Sequence, residues 1–287
     1  KQVAIEARLH EATVLDIFKR QAKRTMRPVS KQKVRVLGVD EISVRKGHKQ
    51  YALVLSDIVH RRVIAVLPNR LKKTFEAWLD TLTDEERHAI RTVSMDMSNT
   101  YRGAVQNKLP HAKIVADRFH VMKQLNHRID LIRRRIQRKA KRDNDEAVYQ
   151  TLKGNRWILL RNRNQLTPEQ EVVLCAMLAI SQELRTVYLL KEEFRTICNK
   201  FNTPQRAARF LRVWCYKARF TGIYHLLSFV ETLQRWWHEF LNYFDDRVTQ
   251  GFVEGINRAI RGIINRAFGF RNFDNFRLQV LVECGDG

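Results

Sequence analysis

The hydrophobic periodicity of this chain changes once, and that change limits the fold more than any other feature. From residue 34, VRVLGVD, YALVLSDIV and RVIAVLP are short runs rich in β-branched residues and separated by polar turns, as strands of one sheet are. HKQ and HRR supply hairpin connections. KKTFEAWLDTL and SNTYRGAVQNKL have helical spacing, and IRTVSMD and AKIVADRF read as two further strands. The order β-β-β-α-β-α-β-α predicts an α/β fold, a mixed sheet flanked by helices. After His120 the strand signal stops, and residues 121 to about 245 read as helices, an all-helical insertion or second lobe. Another helix begins near residue 249 in TQGFVEGINRAIRGIINRA, followed by a loop-like FGFRNFDNF and an apolar tail, RLQVLV.

This pattern predicts three parts: a helical segment over 1–28, an α/β domain built from 29–128 and 246–287, and a helical insertion over 129–245. Within residues 3–24 the spacing gives two short helices with a break near His10. These are either the end of a helix-turn-helix or a basic helical hairpin packed on the next domain. The chain lacks an initiator Met and begins inside a helix, so it reads as a fragment of a longer protein.

The formal net charge is +23, from 53 Lys and Arg against 30 Asp and Glu. Such an excess calls for a polyanionic partner, and nucleic acid leads over ribosomal or membrane-surface alternatives. No run of about 18 apolar residues spans a bilayer and the start has no signal-peptide core, so a cytosolic protein is expected. Cys175, Cys198, Cys215 and Cys284 are too scattered for a zinc site or disulfide framework and read as reduced, mostly buried thiols.

Three acids carry the chemistry. Asp40 closes the apolar run VRVLGVD and Asp96 closes IRTVSMD just before a helix; ligand sites in open α/β sheets lie beyond strand carboxyl ends. Taken alone, each aspartate reads first as a structural residue, since an Asp that ends a strand is commonly a helix N-cap. Glu254 lies mid-helix on a face that also carries Arg258 and Arg261, so an i,i+4 salt bridge with Arg258 accounts for it locally. Together, three carboxylates in so positive a chain suit Mg²⁺, which prefers carboxylate oxygen, and two such ions about 4 Å apart clamp the attacking and leaving oxygens of a phosphodiester.

VLGVDEIS, VSMDMSNTYRGAV, AKIVADRFHVMKQLN and GFVEGINRAIRGIINRAFGFRNFDNFRLQVL resemble the signatures of the ISL-three group of insertion-sequence transposases, from about residue 34 to 282. The final motif, E-G-x-N followed by an aromatic-Gly-aromatic-Arg-Asn loop, is the most specific. The resemblance implies a DDE transposase with a ribonuclease-H-like core. It makes Asp40, Asp96 and Glu254 the catalytic metal ligands for two Mg²⁺ ions, with Mn²⁺ as a substitute, and DNA the substrate of a homo-oligomer. Asp117 and His120, in D-R-F-H, match an accessory D-x-x-H element. Asp117 also ends an apolar strand and competes with Asp96 as second ligand; the strand order favours Asp96. His120 either orients a phosphate or packs at a helix start. Asn257, of the E-G-x-N motif, and Arg271, of the following loop, are accessory candidates. Two departures stand out: Thr249 and Gln250 replace an expected small polar residue and Asn, and the N-terminal zinc-binding and helix-turn-helix region is absent or cut short. The rival functions are a nuclease or resolvase that cuts without joining, and an inactive, transposase-derived DNA-binding protein.

Arg133, Arg134, Arg135, Arg138, Lys139, Lys141 and Arg142 crowd about three helical turns, more charge than Asp143, Asp145 and Glu146 offset. DNA phosphates would relieve that repulsion, and Arg258 and Arg261 join them as expected DNA contacts. Trp236, Trp237, Phe240, Tyr243 and Phe244 have helical spacing; core packing is favoured over base stacking.

Overall fold

The computed structural model describes residues 2–25, 34–45, 50–246 and 251–285. The described chain divides into two compact units, Lys1–Val115 with Thr249–Gly287, and Ala116–Val248. The division falls earlier than residue 128 because the helix opening the second unit, Arg118–Arg142, is unbroken across that position. The first 25 residues belong to the first unit rather than standing apart.

The first unit opens with α1 (Gln2–Glu6) and α2 (Glu11–Thr25), and α2 lies against the chain's last helix. The sheet follows as β1 (Val36–Arg45), β2 (Gln50–Asp57), β3 (Arg62–Leu67), then α3 (Lys72–Asp80), α4 (Asp84–Ala89), β4 (Thr92–Met95), α5 (Asn99–Lys108) and β5 (Lys113–Ala116). The strand order is β3-β2-β1-β4-β5, with β1 antiparallel to β2 and parallel to β4. The expected mixed sheet is present in this ribonuclease-H-like arrangement. Residues 46–49, which hold most of the HKQ connection, lie outside the described residues. The HRR connection is a tight turn closed by buried Asp57, which accepts from the Val59 and His60 amides, and Arg61 takes a positive φ of 56°.

Alternation along β1 decides which face each residue serves. Leu37 and Val39 join Val93, Met95, Phe75 and Tyr101 in the core beneath α3 and α5. Ile42 and Val44 join the opposite core, which α14 (Gly251–Arg266) and α15 (Phe273–Cys284) cover with Ile256, Ile260, Ile263 and Phe276. Gly38 is dictated by close approach: a Cβ there would lie 2.5 Å from Ser56 Oγ on β2.

Two local signals escaped the periodicity. Helix α4 is fixed by a capping box in which Thr83 and Glu86 bond each other's amides. Residues 273–284, expected as loop and tail, form α15; Asn272 caps it by accepting from the Asn275 amide at 3.1 Å. The loop is therefore shorter than expected, and Phe270 and Phe273 pin it to the core. Phe268 does not: it is 100% exposed with φ 52°, beside Gly269 at φ 90°.

The second unit is helical throughout its described residues: α6 (Arg118–Arg142), α7 (Glu146–Leu152), α8 (Arg156–Leu160), a 3₁₀ turn, α9 (Pro168–Ile180), α10 (Gln182–Lys200), α11 (Pro204–Phe220), α12 (Tyr224–Arg235) and α13 (Trp237–Asp246). Its core is aromatic. Phe194 contacts Trp214, Phe229 and Phe240, and the Trp214 indole donates to the Leu190 carbonyl at 2.8 Å. Trp236, Phe240, Tyr243 and Phe244 are buried there, so packing accounts for them; Trp237 is half-buried. Lys191, also buried, donates to the Leu159 and Arg161 carbonyls and so ties α10 to the end of α8. Cys198, Cys215 and Cys284 are buried and Cys175 is exposed; burial pushes the Cys198 thiol up to about 12 and that of Cys215 to about 11. Among the described residues no helix is long and apolar enough to cross a membrane.

Candidate active site

The acid pair is built by strand register. The parallel ladder between β1 and β4 ends at Val39 opposite Met95; Asp40 is the next residue of β1, and Asp96 is the residue that follows β4. Neighbouring strands run about 4.8 Å apart, so the backbone at the two aspartates is held close by the last rung of this ladder. Pleating sends Asp40 away from the face that Val39 serves, toward α14, whose Asn257 donates to it. Asp40 does not end a strand as expected: β1 continues to Arg45, because β2 goes on pairing with it after β4 has stopped. Asp96 does directly follow its strand. β5 lies on the far side of β4 from β1, so the residue after it, Asp117, follows a strand that does not neighbour β1.

Asp40 is 9% exposed, and both its oxygens accept hydrogen bonds: Oδ1 from the Glu41 amide at 2.7 Å, Oδ2 from Asn257 Nδ2 at 2.5 Å. Asn257 lies on the buried face of α14, which packs against β1, so the E-G-x-N helix is fastened directly to the first acid. The side-chain oxygen of Asn257, Oδ1, is buried with no hydrogen-bond partner among the described residues. Glu254 is one turn earlier on the same helix, about 4.5 Å along its axis. Its side chain is 49% exposed and pairs with Arg258 at 3.6 Å, as the local reading expected. An ion pair that exposed is worth at most about 1 kcal/mol, so it does not lock the carboxylate in place. Glu254, Arg258 and Arg261 form one exposed stripe of α14, and Arg271 is exposed after it.

Glu41, which the sequence reading passed over, anchors the other side of the site. It points oppositely to Asp40, accepts from the Tyr101 hydroxyl at 2.6 Å and meets Arg70 at 3.5 Å. Burial, then the bond to Glu41, raises the Tyr101 pKa far above its ordinary value, so the hydroxyl stays a donor. Tyr101 belongs to α5, which follows Asp96, so one bond fastens the segment carrying the second acid to the strand carrying the first. An acid following an acid on an amphipathic strand gives no sequence signal for such a role.

In the second unit, Asp117 caps α6 by accepting from the Phe119 amide and pairs with His120 Nδ1 at 2.8 Å. A histidine packed at a helix start makes such a bond, and each Asp117 oxygen thereby has one local partner. Among the expected phosphate contacts on α6, Arg133 must be withdrawn. It is buried and bonds Asp130, Gln137 and the Leu152 carbonyl. Arg134 is exposed but pairs with Asp130, and Arg135 pairs with Glu183. The counter-charges are thus Asp130 and Glu183 rather than Asp143, Asp145 and Glu146. Arg138, Lys139, Lys141 and Arg142 are exposed and make no salt bridge among the described residues. Thr249 and Gln250 lie outside the described residues.

Among the described residues no group of three or more His, Cys, Asp or Glu side chains is already gathered for a metal. The donor chemistry around Asp40 nonetheless fits a hard cation: carboxylate and amide oxygen, including the partnerless buried oxygen of Asn257.

The sheet order is that of a ribonuclease-H-like domain, interrupted in sequence by a helical unit. The chain belongs to the ISL3 group of DDE transposases: that family's model, described as a transposase, matches residues 37–280. It is 31% identical over 268 residues to the transposase for insertion sequence element IS1001 of Bordetella parapertussis, covering 93% of this chain and 65% of that protein. It is 28% identical over 258 residues to the transposase for insertion sequence element IS1557 of Mycobacterium tuberculosis, covering 83% of this chain and 57% of that protein. The chain thus spans somewhat less than two thirds of the length of these relatives.

Proposed function

We propose that this chain is the catalytic part of a transposase that cuts DNA at the ends of an insertion sequence and joins the freed 3′-hydroxyl to target DNA. The observation that carries the reading is the parallel register of β1 and β4, which ends with Val39 opposite Met95 and so brings the backbone at Asp40 and Asp96, the next residues along, close together, with Asn257 holding Asp40. Asp40, Asp96 and Glu254 are the residues to hold two Mg²⁺ ions, Mn²⁺ being an equivalent ion. When bound, the ions would neutralise charge on the scissile phosphate and favour the attacking and leaving oxygens.

In the cutting step a water oxygen bonds to phosphorus and the bond to the 3′-oxygen breaks, leaving a 3′-hydroxyl on the element. In the joining step that hydroxyl attacks a target phosphodiester, so each step exchanges one P–O bond for another and needs no covalent protein intermediate. Asp40 stays fixed by Asn257 and the Glu41 amide, whereas Glu254 leaves Arg258 and turns toward the pair, a rotamer change its exposure permits. Arg258, Arg261 and Arg271 then take phosphates flanking the site. Arg138, Lys139, Lys141 and Arg142 hold DNA on the second unit without reading its sequence. Asp117 and His120 serve as accessories at the start of α6. Two element ends must be brought together, which implies at least a dimer.

The test is incubation of the protein with Mg²⁺, a labelled duplex bearing the terminal repeats of its own element, and supercoiled target plasmid. Label transferred to the plasmid is the expected result. Cut but unjoined ends would mean a nuclease or resolvase, and bound but intact ends an inactive DNA-binding protein.

A further inference from the structure

Helix α11 has two sharply different faces. Ala207, Leu211, Trp214 and Ala218 are buried in the core of the second unit. The opposite face carries every charge on the helix, Arg206, Arg209, Arg212, Lys217 and Arg219, and no acid. Lys217 is paired with Glu193, and Arg219 donates to Gln234. Arg206, Arg209 and Arg212, spaced three residues apart, make no salt bridge among the described residues.

A merely solvated cationic face needs no rings, yet this one displays them. Tyr216 is 70% exposed and Phe220 84%, and Tyr224, across the turn at Gly222, is 73% exposed. The Tyr216 and Phe220 ring centroids are 6.5 Å apart with planes 22° from parallel. That separation is roughly twice the 3.4 Å rise between stacked bases.

Cations attract a polyanion, and exposed ring faces take flat apolar partners. A nucleic-acid strand with unpaired bases is both, whereas a duplex hides its base faces and would engage the arginines alone. A second copy of this chain fits poorly, because a two-fold contact through this face would set its acid-free cations against themselves. We propose that the outer face of α11, continued by Tyr224, binds single-stranded DNA, the arginines taking phosphates and Tyr216 and Phe220 taking bases. This goes beyond the cleavage reading and does not depend on the acids, since it is measured as binding.

The test is fluorescence anisotropy of the full chain with a labelled oligo-dT strand and with a duplex of equal length. The double variant Tyr216→Ala/Phe220→Ala is expected to weaken single-strand binding about tenfold or more and leave duplex binding within about twofold. Arg206→Ala/Arg209→Ala/Arg212→Ala is expected to weaken both and to lower the single-strand salt slope by about 2. Unchanged single-strand affinity in the aromatic variant, or equal loss for strand and duplex, would overturn the proposal. So would an altered sedimentation coefficient with unaltered strand affinity, which would mark a contact between copies. Should a variant not fold, photocrosslinking of iodouracil-substituted oligo-dT to the unmodified protein decides: adducts on α11 or Tyr224 are expected, and adducts only elsewhere would refute it.

Discussion

Asp130→Ala is expected to lower the unfolding free energy of the helical unit by about 3–5 kcal/mol, read from denaturant unfolding. Asp130 is buried on α6 and faces three guanidinium groups, those of Arg133, Arg134 and Arg156. The loss is not shared equally among them. The Arg134 and Arg156 side chains are 52% and 40% exposed and can turn to water, whereas that of Arg133 is 8% exposed and cannot. Removing the carboxylate strands one buried cation, which is the costly event. Asp130→Leu combined with Arg133→Met should recover much of the loss by removing both charges, and should leave DNA affinity intact because Arg133 faces inward. A double variant that bound DNA distinctly more weakly would return Arg133 to the phosphate contacts.

The second large effect concerns catalysis. Asp40→Asn and Asp96→Asn should each slow Mg²⁺-dependent cutting by at least about a thousandfold, since a lost metal ligand removes several kcal/mol of transition-state stabilisation. Glu254→Gln should do the same despite its exposure, with little change in thermal stability because its pair with Arg258 contributes little. Asn257→Ala should cost about 10–100-fold, the usual penalty for a residue that orients a ligand rather than supplying it. Asp117→Asn should act mainly on stability, through its cap and its bond to His120. Full cutting activity in Asp96→Asn alongside loss in Asp117→Asn would exchange their roles.

Much of this was legible in the sequence because it is written in local pattern. Short β-branched runs gave the strands of the mixed sheet, and the apolar alternation of VRVLGVD placed Asp40 at the end of its buried run. What was not legible depends on partners distant in sequence. β1 runs past Asp40 because β2 continues beside it, and an isolated apolar run cannot announce that. Arg133 sits in the same basic run as Arg138 and Lys139, yet it faces Asp130 and the Leu152 carbonyl because α6 turns that side toward α7. Only packing separates the cation that stabilises the fold from those left exposed. The apolar spacing of α15 was obscured by its polar first turn, where Asn272 is a cap rather than a continuation of the loop. Tyr216 and Phe220 of α11 and Phe240 and Phe244 of α13 look alike as strings, but the first two are exposed and the second two buried.

Whether Asp40 and Asp96 together grip divalent cations is tested most directly by anomalous scattering from crystals of the protein with its terminal-repeat DNA and Mn²⁺. The expected result is anomalous density within about 2.5 Å of carboxylate oxygens from both Asp40 and Asp96, with Glu254 turned inward. Density that engages Asp117 and Asp40 while leaving Asp96 unligated, or no density beside Asp40, would contradict it.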